Sequence, residues 1–194
     1  MNRVLPKKFF HNKNTTLIAK NLLGKFLVRR YRKKIKAYLI TEIEAYDGPK
    51  DKASHAHRGK TERNKIMFGP AGCWYVYFTY GMHWMLNIVT GPKNYPAAVL
   101  IRSVIPSVTP MVTPKQFIQL SSSSLITGYN GPGRLTKALN IDKKMNGKIA
   151  DKKSGLWIED MGVKIRPSQI KKGLRIGVAY AGPTWSKKKW RFYI

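Results

Sequence analysis

Carboxylates are scarce in this sequence: nine Asp plus Glu stand against 37 Lys plus Arg. A carboxylate inside an apolar run is therefore the first place to look for chemistry. Glu44 is such a group, late in AYLITEIEAY and just before the turn signature Asp47-Gly48-Pro49. A Glu among apolar neighbours can serve as a general base once its surroundings tune it. It can also simply pair with a surplus cation, and its position alone favours that reading. Two-residue alternation puts Glu44 on one strand face with Tyr38, Ile40 and Glu42. His55 and His57, in SHAHRG, are the next candidates, as metal ligands. No HExxH accompanies them, and no HxE with a later pair of cysteines, so no metal site is expected and the zinc-dependent base deaminases are set aside.

GxxxxGK[ST], GxGxxG and GxSxG are also missing, which removes the usual signals of nucleotide hydrolysis, dinucleotide redox chemistry and serine hydrolysis. Cys73 is alone, which excludes an internal disulfide, and it reads as a small buried hydrophobe. The stretch WYVYFTYGMHWMLNIV, residues 74–89, raises a different possibility. Its aromatic residues are core-forming types, yet Tyr rather than Phe fills one face, and Tyr faces can stack on purines. Tyr80, beside Gly81 at the tip, is hard to bury and suits a wedge between bases.

A formal charge of +28 strains a compact chain by self-repulsion unless a polyanion screens it, and nucleic acid is the polyanion that fits. No membrane partner is expected: the uncharged run 67–92 is broken by Gly69, Pro70, Gly72 and Gly81, and no basic amphipathic helix or secretory signal is apparent. An intracellular location follows as an expectation.

Positioning these groups takes a set of elements that the pattern suggests in order. A helix within 12–24, capped by Asn14 or Thr15 and stopped by Gly24, precedes two strands at 26–31 and 35–45 joined by a basic turn at 32–34. A loop or short helix carries His55, Thr61 caps one helical turn before Gly69-Pro70, and 74–89 reads as a hairpin turning at Tyr80-Gly81. A strand at 97–104, a helix opened by Thr113-Pro114, and a surface loop at Ser121 to Ser124 follow. GPGRLTKALNI gives a short helix, GLWIED and GLRIGVAYAG two strands, and KKKWRFYI ends the chain. No repeat or linker divides it, so residues 1–194 read as a single α+β domain: a curved, mostly antiparallel sheet with surrounding helices and a protruding β-hairpin.

Taken together, TEIEAYDGPKDKASHAHRG, RNKIMFGPAGCWYVYFTYGMHWMLNIV, AAVLIRSV, NGPGRLTKALNI and RIGVAYAG with the final WRFYI resemble, in order, the alkyladenine (3-methyladenine, methylpurine) DNA glycosylase family. The resemblance runs from about Leu23 to the C-terminus. It implies a monofunctional enzyme that flips alkylated or deaminated purines out of duplex DNA and hydrolyses the bond between base and deoxyribose, without a cofactor, as a monomer. It assigns Glu44 as the base that activates water, with Arg102 orienting it and keeping it ionised, and the main chain near Ile176 completing the water site. Tyr46 and Tyr77 would sandwich the flipped base, His55 would close another side, and Asn87 would disfavour the amino group of guanine. Tyr80, supported by Met82, would fill the gap left in the duplex. The large basic excess departs from the family pattern, and no long N-terminal extension is expected.

One consequence is geometric. A plain two-residue turn at Tyr80-Gly81 would send Tyr77 and Asn87 to opposite faces, so the implied roles require an odd-numbered loop or a bulge in this hairpin. The rival reading is a non-catalytic, basic RNA- or DNA-binding protein, which leaves the set Glu44, Tyr46, His55, Asn87 and Arg102 unexplained. A metal-dependent nuclease lacks its carboxylate cluster.

Overall fold

The structure is a computed structural model that describes residues 3–107 and 128–194. The helix expected at Thr113-Pro114 and the Ser121 to Ser124 loop lie outside the described residues. The rest is an α+β fold built on an open antiparallel sheet of ten strands, with four helices packed around it. The strands are β1 (Arg3–Val4), β2 (Phe26–Tyr31), β3 (Lys34–Tyr46), β4 (Trp74–Thr79), β5 (His83–Thr90), β6 (Ala97–Pro106), β7 (Tyr129–Asn130), β8 (Leu156–Asp160), β9 (Lys171–Gly173) and β10 (Arg191–Tyr193). The helices are α1 (Lys7–Phe10), α2 (Thr15–Leu22), α3 (Pro132–Ala138) and α4 (Gly182–Ser186).

The main path of the sheet runs β1-β8-β2-β3-β6-β5-β4. Its axis is β3, whose 13 residues pair with β6 along one edge and with β2 and then β10 along the other. Alternating apolar residues explain the strands. On β4, Trp74 and Val76 enter the main core with Leu86, Ile88, Val99 and Ile101, while Tyr75 and Tyr77 face the other way. Against that core lies α2, capped by Asn14, whose side chain accepts the Leu17 N–H at 2.9 Å. The β2–β3 turn is Arg32-Lys33, both at positive φ, which matches the primed turns that suit strand twist.

Two expectations are corrected. The segment 173–182 is not a strand: only Gly173 belongs to β9, Gly177 sits at φ +76°, and Ala179–Ala181 form a 3-10 turn. Its alternating apolar residues imitate a strand, but the positive φ turns the chain into a strap across the sheet face. The second correction concerns alternation along β3. Its pairing with β6 shifts register between Ile40 and Glu42 and again between Glu42 and Ile43, skipping Thr41 on one strand and Arg102 on the other. Tyr38 and Ile40 therefore share the main core with Ile43 and Ala45, and Glu44 does not share their face.

Candidate active site

The two irregularities build the site. A bulge inserts one unpaired residue and re-aims the side chains beyond it. Past Thr41, Glu42 and Glu44 turn away from the main core, and the extra residue on β6 is Arg102 itself. Paired residues on neighbouring antiparallel strands share a face, so the register defines a single row across four strands: Glu44 opposite Leu100, Leu100 opposite Asn87, and Asn87 opposite Tyr75.

Glu44 is fully buried. Its Oε1 accepts the backbone N–H of Ile176 on the strap at 2.8 Å, and its Oε2 accepts the Tyr46 hydroxyl at 2.8 Å. Arg102 Nη1 lies 3.3 Å from Oε2. Burial pushes the Glu44 carboxyl above the ordinary carboxylate range, against the downward pull of Arg102, the Ile176 N–H, the Tyr46 hydroxyl and Arg175. Each carboxylate oxygen has two lone pairs, so Oε1 keeps one for a further donor such as water.

In front of this carboxylate opens a cavity of about 880 Å³, lined among others by Tyr46, His55, Tyr77, Asn87, Arg102 and Ile176. Glu44 itself lies behind that lining. Tyr46 ends β3 and Tyr77 stands on β4, so β6 and β5 lie between them and supply Ala98, Leu100, Met85 and Asn87 to the floor. His55 Nδ1 is 3.0 Å from the Tyr75 hydroxyl, and its ring meets Tyr77 edge-on at 4.5 Å. Burial, with Arg63 nearby, lowers the His55 pKa to about 4, so the ring is neutral at physiological pH. Arg63 lies over Tyr77 at 5.4 Å and donates to the Phe78 carbonyl. Asn87 Nδ2 donates to the Tyr75 carbonyl at 3.1 Å. The two histidines diverge, His57 turning to the Pro49 carbonyl, and among the described residues no group of three His, Cys, Asp or Glu gathers to hold a metal ion.

The hairpin has an odd-numbered loop, as the shared pocket requires. Thr79 pairs with His83, leaving three loop residues, Tyr80-Gly81-Met82, and placing Tyr77 opposite Met85. Tyr75, Tyr77 and Asn87 accordingly share a face. Tyr80 is 75% exposed at φ +54°, and Met82 is 67% exposed. The hydroxyl of Tyr80 reaches over to Gly177 on the strap, where a Cβ would lie 3.6 Å from it. The tip and the strap thus approach one another at the cavity mouth.

The strap is held by groups that sequence reasoning missed. Arg175 is buried, pairs with the buried Asp51, and donates to the Ala45 and Trp185 carbonyls at 2.9 and 3.2 Å. Its guanidinium also lies over Tyr46 and Trp190, at 4.9 and 5.1 Å. The signal for this pair was a lone Arg in the apolar LRIGV and a rare carboxylate just past the Asp47 turn.

The sequence model of the family described as Methylpurine-DNA glycosylase matches residues 8–194. The chain belongs to this family. A relative from Methanocella arvoryzae is 41% identical over 98% of this chain and 92% of its own length. One from Borreliella burgdorferi is 40% identical over 96% and 94%, and one from Anaeromyxobacter dehalogenans 38% identical over 97% and 82%. Each bears the name "Putative 3-methyladenine DNA glycosylase". In this DNA glycosylase, Glu44, Arg102, Tyr46, His55, Tyr77, Asn87 and the Ile176 main chain gather at one cavity, while on the exposed hairpin tip Tyr80 borders that cavity and Met82 stands outside it.

Proposed function

We propose that this glycosylase excises alkylated and deaminated purines of the 3-methyladenine, hypoxanthine and ethenoadenine type from duplex DNA, as a monomer, with Glu44 activating water. The observation that carries the reading is the buried Glu44, held by Ile176, Tyr46 and Arg102 at the end of a row that leads through Leu100 to Asn87. Two strand spacings separate Glu44 from Asn87, roughly 10 Å between backbones, which is room for a purine to lie over Leu100. Its sugar then faces Glu44 and its far edge faces Asn87.

Flipping costs a few kcal/mol of unstacking, which is smallest at damaged pairs, and Tyr80 fills the vacated space with Met82 beside it. Tyr46 and Tyr77 stack on the base from the two flanks. A neutral His55 adds no positive charge, so a cationic alkylated base is not repelled there. Water gives a proton to Glu44 as its oxygen bonds to the anomeric carbon, and the N-glycosidic electron pair leaves with the purine. The ionised carboxylate also stabilises the positive charge that develops on the sugar. Asn87, fixed in place by the bond from its Nδ2 to the Tyr75 carbonyl, disfavours guanine by a clash with the amino group that adenine and hypoxanthine lack. Water rather than a lysine attacks the anomeric carbon, the monofunctional course that the family resemblance implies.

The test is a duplex carrying 3-methyladenine, hypoxanthine or ethenoadenine, incubated with protein and EDTA. Free base and alkali-labile abasic sites are expected, with no adduct trapped by borohydride. Glu44→Gln is expected to keep lesion binding and lose turnover by at least about 100-fold. Full activity in that variant would remove Glu44 as the base, and binding without any released base would leave a non-catalytic DNA binder.

A further inference from the structure

Glu42 lies two residues before Glu44, past the bulge, and does not line the cavity. One of its oxygens, Oε1, accepts from two arginines: Arg102 Nε at 3.1 Å and Arg191 Nη1 at 3.0 Å. Arg102 therefore spends different nitrogens on different carboxylates, Nε on Glu42 and Nη1 on Glu44. A guanidinium is planar, so fixing Nε fixes the direction in which Nη1 points. Arg191 Nε donates to the Leu174 carbonyl at 2.8 Å, two residues before the Ile176 N–H that holds Glu44. A single carboxylate oxygen thus stands behind two of the three groups on Glu44.

We infer that Glu42 is a positioning residue for the glycosidic hydrolysis: it aims Arg102 at Glu44 and, through Arg191, ties the strap that carries Ile176 to the sheet. The inference rests on the reading of Glu44 as the base. It acts at a distance from substrate, and a purely electrostatic neighbour would leave a different signature. Arg102, Tyr46, Tyr77, Arg175 and Tyr180 are the titratable or charged groups that act on Glu44. If Glu42 were only a nearby negative charge, removing it would ease ionisation of Glu44 and move the acid limb of the rate to lower pH. If Glu42 aims Arg102, removing it withdraws a cation from contact distance. That loss outweighs the loss of a carboxylate two residues away, about 7 Å along the strand, because Coulomb energy falls with distance. The acid limb then moves to higher pH.

The experiment is single-turnover excision from a hypoxanthine duplex, at saturating enzyme and across pH, for Glu42→Gln and Glu42→Met. Gln keeps only a neutral acceptor, which holds Arg102 Nε about half as strongly as a carboxylate and so partly releases it; Met releases it entirely. We expect the rate to fall about tenfold in Gln and roughly 100-fold in Met, by analogy with the ~10–100-fold losses on removing the outer partners that orient metal ligands. We expect the acid midpoint to rise in both, more in Met, with duplex affinity within about twofold. A midpoint that falls in both variants, or an unchanged rate, overturns the inference. Should Glu42→Met not fold, the sign of the shift in the near-isosteric Glu42→Gln decides alone. Glu44→Gln is run in parallel. If it retains the rate and the acid limb, the reading of Glu44 fails; if it loses both while the Glu42 variants move to lower pH, only the role of Glu42 fails.

Discussion

Glu44 is held in a state that costs stability at neutral pH. Its carboxyl binds its proton more tightly in the folded chain than in the unfolded one, because burial outweighs the nearby donors and cations. Such a group stabilises the fold below its unfolded pKa and loses that contribution as pH rises through the folded pKa. At pH 7 the ionised form therefore costs stability, and Glu44→Gln is expected to raise Tm at neutral pH while abolishing excision; a lower Tm would show that Arg102 and the strap N–H outweigh burial. With Glu44 as the proposed base, the same shift is expected to set the rate profile: the base must be ionised, so excision should be lost as pH falls, with a midpoint above the ordinary carboxyl value of 4.5. His55 shifts the other way. Its folded pKa of about 4 lies below the ordinary 6.5, so it contributes stability above pH 6.5 that is lost as pH falls towards 4. The His55 ring resonances are expected to titrate near pH 4 in NMR spectra. A midpoint near 6.5 would mean that the ring is solvated and not packed against Tyr75 and Tyr77.

The elements that matter most are irregular ones: the bulged β3–β6 pair, the three-residue hairpin loop and the strap. Arg175 is the strap's anchor, and among the described residues the carboxylate it pairs with is the buried Asp51. Removing one partner of a buried pair leaves an uncompensated charge, so Asp51→Asn is expected to destabilise the fold by about 3–5 kcal/mol. Urea unfolding should show a lower midpoint with an unchanged slope; a change under 1 kcal/mol would mean that the carbonyls of Ala45 and Trp185 suffice for Arg175. The legibility of the site follows the same division. Alternation places Tyr75 and Tyr77 on one face of β4, but it joins Asn87 to them only with an odd-numbered loop, which the family resemblance required and the Tyr80-Gly81 turn signal did not show. Glu44 was misplaced among Tyr38 and Ile40, because a bulge leaves no mark in the alternation of one strand; it depends on the partner. The strap read as a strand because its apolar spacing has the strand period, while a positive φ at Gly177 depends on what the backbone must cross.

At the scale of the whole chain, charge decides how the molecule responds to salt. Nine carboxylates can neutralise at most nine of 37 cations, and several of them are committed inside the site, Glu42, Glu44 and Asp51 among them. Most Lys and Arg therefore face one another without compensation, and their mutual repulsion opposes the compact state. Salt screens that repulsion over a distance of about 10 Å at 0.1 M, so Tm of the free protein is expected to rise between roughly 50 and 300 mM salt. Duplex binding must respond with the opposite sign, because each neutralised phosphate releases counterions on binding and log K falls with log salt by about 0.9 per phosphate. Undamaged duplex DNA should correspondingly raise Tm at low salt, by binding the folded state, and lose this effect as salt increases. The two Tm curves, with and without DNA, are then expected to converge from opposite directions in a salt series followed by thermal unfolding. A free-protein Tm that fell with salt would show that its few ion pairs outweigh the bulk repulsion, and the basic excess would no longer mark the duplex as the polyanion that completes the fold's electrostatics.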